Sequence, residues 1–335
     1  MCYRWRGYDC PYPIAFGRLR GAHQKPRPWP GSGKCWEEVK VSMDVSLNTI
    51  FELAKFLKKR TVAITGRADP AAFKALLTAR DRGWLDPLAC GQSLEPLRPQ
   101  MDLLLPNADI REARDGVLEL LENGKVEALL DTGPLDEDLF SFLDHLAATD
   151  NGTRVISYVS VFRSVRNGRL TLFTDTLIHT SPSLKEKAGI IQNAASVAEA
   201  LGIEHPKVAA LGPIEIVNPA IPSTVDAAAL AKMAERGQLG DVIVEGPLAM
   251  DNAESAEAAH HKGIESPVPG DVDIYLFPDL DSALLSTQFV RCLGPFEVAG
   301  VVAGTKAPVI IHSPADSPES WLHNIVLGLL QGKRI

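Results

Sequence analysis

Hydroxyls, amides and carboxylates gather between Leu172 and Asn252. The run Phe173-Thr174-Asp175 closes an apolar stretch. Val217-Asn218-Pro219-Ala220-Ile221-Pro222-Ser223-Thr224 forms a loop ahead of a helical pattern, and Glu245-Gly246-Pro247-Leu248-Ala249-Met250-Asp251-Asn252 stands before another. At strand-to-helix junctions such residues present side-chain oxygens beside free backbone N–H groups, which suits capture of an anion or a polar small molecule. Asp175, Asn218, Ser223, Thr224, Asp251 and Asn252 are therefore candidate substrate-binding residues. The plainer reading is that Ser223, Thr224 and Asp251 cap helices, since these types lead at that position. Capping does not exclude ligand contact. His260-His261 reads as a solvated pair at a helix end rather than a metal site, and Lys185-Glu186-Lys187 as a solvated face.

The elements that must position these groups alternate between helix and strand signals. From Met43 the pattern gives a helix from Ser46 to about Lys58, a strand over Thr61–Thr65, and a helix opened by Asp69-Pro70. Strands follow over Trp84–Ala89 and Ala108–Ile110, then a helix over Glu112–Glu122 stopped at Asn123-Gly124. Ala128–Leu130 reads as a strand and Leu135–Ala147 as a helix. Two strand-like runs, Arg154–Phe162 and Arg169–Phe173, flank Arg166-Asn167-Gly168, a hairpin signal that marks a change of domain near Asn151-Gly152. Beyond it come helices over Ser183–Leu201, Thr224–Arg236, Asn252–Lys262 and Asp281–Leu293. Strands Lys207–Leu211, Asp241–Val244 and Val272–Phe277 alternate with them; Val298–Val302, Val309–Ile311 and a final helix from Ser317 close the chain. Such alternation implies α/β architecture with mainly parallel sheets.

The composition agrees. The chain has 335 residues, 45% of them hydrophobic and only 6% aromatic, enough for a large aliphatic core in two α/β domains. A net charge of −8 argues against a nucleic-acid partner and against anionic membranes. No apolar run approaches the ~20 residues of a spanning helix. The five cysteines are scattered, with no C-x-x-C spacing, so zinc and disulfide frameworks are disfavoured and the cytoplasm is the expected compartment. Residues 1–42 differ: eight Lys/Arg face three Asp/Glu, without helical or strand periodicity. They read as a disordered extension. Gly31-Ser32-Gly33-Lys34 within them does not make a phosphate loop, because the upstream glycine is missing and Cys35 stands where Ser or Thr belongs.

From Phe173 onward the chain resembles the phosphate acetyltransferase/phosphate butyryltransferase family, and the butyryl branch more closely. The residues that carry the resemblance are Thr174-Asp175, Lys187-x-x-Ile190-Ile191-Gln192-Asn193-Ala194, Val217-Asn218-Pro219 with Pro222-Ser223-Thr224, and Gly246-Pro247-Leu248-Ala249-Met250-Asp251-Asn252-Ala253. His261-Lys262-Gly263-Ile264, Phe277-Pro278-Asp279, Lys306-Ala307-Pro308 and Ser313-x-Ala315-Asp316-Ser317 complete it. The resemblance implies a two-domain fold similar to the isocitrate/isopropylmalate dehydrogenases, with mainly parallel sheets, an interdomain cleft and a homo-oligomer, at least a homodimer. It places the first domain at 43–152 plus 306–335 and the second at 153–305. The implied reaction exchanges a short-chain acyl group between coenzyme A and phosphate, with no metal or redox cofactor. The implied small-molecule partners are acyl-CoA and phosphate, and, with the charge and the absence of a long apolar run, no nucleic acid and no membrane are expected. By position, Asp316 is the candidate base and Ser313 the donor to the thioester or leaving thiolate. A dehydrogenase on the same fold is the weaker reading, since no dinucleotide glycine fingerprint is present.

The chain also departs from the family pattern. Pro314 stands where the butyryl branch has an arginine expected to seat phosphate, and proline offers not even an N–H. A family Met-Lys-Gly appears as Leu130-Asp131-Thr132-Gly133, a family histidine as Tyr158, and an asparagine near Asp175 as His179. After Pro278-Asp279 the family glycine, asparagine and lysine are lost in Ser282–Gln288. These changes motivate an alternative reading, a catalytically inactive relative that binds acyl-CoA or a protein partner. Arg154, Arg163 and Arg166 are the candidates for restoring the lost charge.

Overall fold

The computed structural model describes residues 47–147, 155–164, 168–294, 296–317 and 319–331. The Gly31–Lys34 run, Arg154 and the Arg166-Asn167 turn lie outside the described residues. The chain runs α1 (Ile50–Ala54), β1 (Arg60–Thr65), α2 (Pro70–Asp81), β2 (Leu85–Cys90), β3 (Asp102–Leu104), α3 (Ile110–Glu122), β4 (Ala128–Asp131) and α4 (Glu137–Leu146). It continues through β5 (Ser157–Arg163), β6 (Leu170–Thr174), α5 (Leu184–Ala200), β7 (Lys207–Leu211), α6 (Pro222–Glu235) and β8 (Ile243–Leu248). Next come α7 (Met250–Glu254), α8 (Ala256–His261), β9 (Ile274–Leu276), α9 (Leu280–Leu293), β10 (Ala299–Ala303), β11 (Val309–Ile310) and α10 (Trp321–Gln331).

Two sheets result. The first has the order β11-β4-β1-β2-β3 and every pairing in it is parallel. The second has the order β10-β5-β6-β9-β7-β8; β5 runs antiparallel to both its neighbours and the rest are parallel. Residues 60–131 build the first sheet, and the chain returns to it at Val309 to add β11 beside β4. Residues 157–303 build the second. No helix among the described residues is long and apolar enough to cross a membrane.

Local chemistry sets most boundaries. Asp69 accepts the Ala72 N–H at 2.7 Å and Pro70 opens α2. Ser183 with Glu186 closes a capping box on α5, satisfying two N–H groups that would otherwise lack partners. The same device corrects one expectation: Ala108–Ile110 is not a strand, because Asp109 and Glu112 form a capping box that starts α3, and the third strand lies earlier at Asp102–Leu104. The helix expected over Asn252–Lys262 is two short helices, divided where Ser255 turns extended (φ −135°, ψ 114°) and caps α8 through Ala258.

α10 lies between the sheets. It packs on α2 and α1 from one side and on β10 and β11 from another. Nine of its residues are buried, as expected for a helix apolar on all sides. Gly328 lets it approach β11: an added Cβ would lie 2.4 Å from Ile310 Cγ1. Val62, Ile64, Val159, Val161, Ala299 and Ile325 consequently belong to one apolar core shared by both sheets.

Candidate functional site

In parallel sheets the loops leaving the strand C-termini converge on one edge, and ligands bind there. In the second sheet Asp175 follows β6, Asn218, Ser223 and Thr224 follow β7, Asp251 and Asn252 follow β8, and Asp279 follows β9. All six candidate binding residues therefore share one edge. Ser313 and Asp316 follow β11, on the corresponding edge of the first sheet.

Tyr158 joins the two edges. Its amide donates to Asp175 Oδ1 at 2.9 Å and its hydroxyl to Asp316 Oδ2 at 2.5 Å. The phenol crosses Gly300 of β10, where any Cβ would lie 2.2 Å from the ring. Asp316 Oδ2 also accepts the Ser313 N–H (2.9 Å) and the Asn324 side-chain amide (2.8 Å). Asn324 in turn donates to the Ile311 carbonyl and accepts the Gly300 N–H, tying α10 to both sheets. Asp316 is 1% exposed, and its Oδ1 has no partner. Burial pushes the Asp316 carboxyl up from its usual range, against the pull of the Tyr158, Ser313 and Asn324 donors. Ser313 is fully buried; its Oγ accepts the Ala315 N–H at 3.1 Å, which leaves its own proton to donate.

Asp175 is consumed in a different way. Its carboxylate accepts N–H groups from Tyr158, Leu177, Ile178 and His179, and the His179 ring at 2.7 Å. It shapes the loop after β6, which packs Leu177 and Ile178 into an apolar cluster with Leu139, Phe142 and Leu143 of α4. Burial favours neutral His179, but the hydrogen bond and charge of Asp175 outweigh it and raise the imidazole pKa.

The loops after β7 and β8 form a second group. Thr224 is buried; its hydroxyl oxygen accepts the Asn218 N–H (2.9 Å), while Asn218 Oδ1 accepts the Ala220 N–H. These two side chains hold the loop's shape and bring Ser223 to the start of α6. Asn252 is fully buried, its amide 3.5 Å from Glu215 Oε2 and its Oδ1 without a partner. Asp251 is exposed and pairs with Lys262, which also reaches Glu215. β9 lies between β6 and β7, so this group stands roughly 10 Å from Asp175 at ordinary strand spacing. Among the described residues no direct hydrogen bond joins the two groups.

Lys187 corrects an expectation. It is not solvated but 5% exposed, its Nζ 2.7 Å from Asp226 Oδ2, beside Ser223 and Pro278. The signal was available in the sequence: Lys187, Ile190, Ile191 and Ala194 fall at helical spacing on one face. Another charge behaves differently from its sequence reading. Asp131 faces no ligand as a free anion, because Arg114, itself 2% exposed, clamps it at 2.9 and 3.0 Å. Arg163 ends β5, and its Nε donates to the Gly168 carbonyl within the β5–β6 hairpin. Tyr158 and Asn324 are the organising residues that sequence reasoning did not place in the site. Among the described residues no cluster of His, Cys, Asp and Glu could hold a metal ion.

Mainly parallel α/β sheets with polar side chains gathered beyond their strand ends place the chain in the class of α/β proteins whose strand ends are the usual location of ligands. The profile of the family "Phosphate acetyl/butaryl transferase" matches residues 138–328. The phosphate butyryltransferase of Clostridium acetobutylicum is 35% identical over 295 residues, covering 85% of this chain and 97% of that protein. The phosphate acetyltransferase of Thermotoga maritima is 32% identical, covering 84% and 98%. Among solved structures, a branched-chain phosphotransacylase from Enterococcus faecalis superposes with a TM-score of 0.69 at 26% identity, over 81% of this chain and 99% of that one. A phosphotransacetylase from Streptococcus pyogenes shares the fold with a TM-score of 0.74 at 21% identity, over 86% and 99%. The chain belongs to the phosphate acetyl/butyryl transferase family.

Proposed function

We propose that this protein transfers a short-chain acyl group between coenzyme A and phosphate: acyl-CoA plus phosphate gives acyl phosphate plus CoA. The observation that carries the reading is the match to phosphate butyryltransferase over 97% of that protein's length. A phosphate oxygen attacks the thioester carbonyl, a C–O bond forms, the C–S bond breaks, and the thiolate leaves and takes up a proton. No metal or redox cofactor enters.

Asp316 is the proposed proton carrier for the thiol, and Ser313 the donor to the thioester oxygen or leaving sulfur. The upward push on the Asp316 carboxyl supports this role, because it makes the group a better proton acceptor than an exposed aspartate. Both residues are buried, so the acyl group reaches them only when the 313–317 turn moves; Pro314 is the exposed point of that turn. Asn252, with an unpartnered buried oxygen, and Ser223 are the proposed direct substrate contacts at the second edge. Asp175, Asn218, Thr224 and Asp251 support them through the loops they shape. We read the two sheets as two lobes, 43–152 plus 306–335 and 153–305, in the manner of the isocitrate/isopropylmalate dehydrogenases, with the substrate in the cleft between their strand C-termini.

The same reading makes the protein a cytoplasmic homo-oligomer. Leu285, Phe289 and Leu293 support the oligomer: spaced four apart on α9, they are 55%, 60% and 78% exposed. The function is tested by following CoA release from butyryl-CoA or acetyl-CoA with a thiol reagent. Phosphate-dependent release is expected, and its absence across several acyl groups rejects the reading.

A further inference from the structure

The side chains proposed for proton transfer and for the thioester share one short turn, so whatever fixes that turn sets their aim. The Asp316 N–H donates to the Ser313 carbonyl at 2.9 Å, which closes the turn from within. Its near end continues β11 of the first sheet. Its far end is held from the second sheet: Ser317 donates its N–H to the Val298 carbonyl at 2.6 Å, and its Oγ accepts the Val298 N–H at 2.7 Å, just ahead of β10. One side chain spans the two ends. His312 Nε2 lies 3.0 Å from the Ser317 carbonyl oxygen.

A carbonyl can only accept, so Nε2 carries the proton in this pair, and the neutral ring keeps a bare Nδ1. The ring is half-buried and rests against Trp321, with centroids 5.0 Å apart, at the start of α10. The Ser320 N–H donates to the same Ser317 carbonyl at 2.9 Å, while Ser320 Oγ stands further from Nε2, at 3.5 Å. His312 is near enough to Asp316 for a charge on the imidazole to favour the carboxylate, against the upward push of burial. Residues 313–316 are therefore enclosed by a bond that uses neither the Ser313 nor the Asp316 side chain.

We propose that His312 is a positioning residue for acyl transfer: its Nε2–H, donated to the Ser317 carbonyl, latches the base of the turn and holds Ser313 and Asp316 in the arrangement the reaction uses. This deepens the acyl-transfer reading and rests on it for the reaction served. His312 touches no reacting atom in this account; it acts through the backbone that carries the two residues that do.

The test uses the full chain with His312→Gln, His312→Asn and His312→Ala. The Gln amide nitrogen reaches the position of Nε2, whereas that of Asn reaches only the position of Nδ1. His312→Asn and His312→Ala are expected to lower kcat for CoA release by about fivefold or more, the scale of one neutral hydrogen bond, with KM for butyryl-CoA and for phosphate within about twofold of wild type. His312→Gln is expected to keep most of the wild-type kcat. A second readout needs no variant: 15N NMR of the neutral imidazole in the wild-type chain is expected to show the proton on Nε2. Equal losses in all three variants overturn the role, as does a loss confined to KM. A ring protonated on Nδ1 overturns it whatever the variants do. Turnover that survives all three substitutions removes His312 and leaves acyl transfer intact. Absence of wild-type turnover removes the acyl-transfer reading and the positioning role with it, and the tautomer then reports whether the latch exists without the reaction.

Discussion

The Tyr158 hydroxyl donates to Asp316 Oδ2 at 2.5 Å and so connects the second sheet to the turn that follows the first. Both partners are buried, so the phenol proton reaches no competing water. Tyr158→Phe removes one of three donors from a buried carboxyl while keeping the ring over Gly300. Chemical denaturation is expected to show a loss of about 1–3 kcal/mol, the usual cost of a buried group deprived of its partner. The kcat for CoA release should fall with it, because Asp316 loses its orientation. Unchanged stability and unchanged kcat would mean that the bond does not organise the site.

His323 offers the opposite case. It is buried, stacks on Phe51 at 4.6 Å between centroids, and neither ring nitrogen has a partner. Burial lowers its pKa, so the folded state binds fewer protons than the unfolded state in mild acid. The resulting stability is complete above about pH 6.5, the unfolded value, and is lost as pH falls toward the folded value. His323→Phe keeps the stack and removes the orphaned nitrogens. It is expected to raise stability by about 1 kcal/mol or more at neutral pH and to flatten the acid limb of a stability–pH curve. A steeper acid limb would contradict this account.

Much of this architecture was legible in the sequence, because helix ends and parallel strands are local signals. Asp69-Pro70 and Ser183-x-x-Glu186 announce their helices through the caps they form. The strand signal over Ala108–Ile110 rests on two apolar residues only, and the residue between them, Asp109, is the cap that starts α3. The pairing of Asp131 with Arg114, 17 residues apart, and of Tyr158 with Asp316, 158 apart, is tertiary and leaves no mark in spacing. Arg114 offsets the charge of Asp131 while also bonding Asp136, an arrangement that the lost family residues do not reveal.

His179 tests the loop after β6. Its pKa is raised: burial works against the charge, and Asp175 overcomes that through its hydrogen bond and charge. Its contribution to stability is therefore complete below about pH 6.5 and is lost as pH rises through the folded value. Melting temperatures of wild type minus His179→Gln should show a difference that shrinks from pH 6 to pH 8. A difference that grows with pH would contradict the pairing.

The apolar stripe on α9 gives a prediction about assembly. Phe289→Glu with Leu293→Glu places two charges on a surface proposed to meet a second copy. Sedimentation velocity should show an oligomer for wild type and a smaller species for the double variant, with helix content unchanged. A wild-type monomer would remove the homo-oligomer from the reading.

Acyl transfer itself is tested most directly by one assay: CoA thiol released from butyryl-CoA by the purified full chain, with and without inorganic phosphate. The account expects release that rises with phosphate and saturates, and that falls about 100-fold or more in Asp316→Asn, as for loss of a general acid–base group. Release that ignores phosphate, or no release with any short-chain acyl-CoA while the protein remains folded, would contradict it.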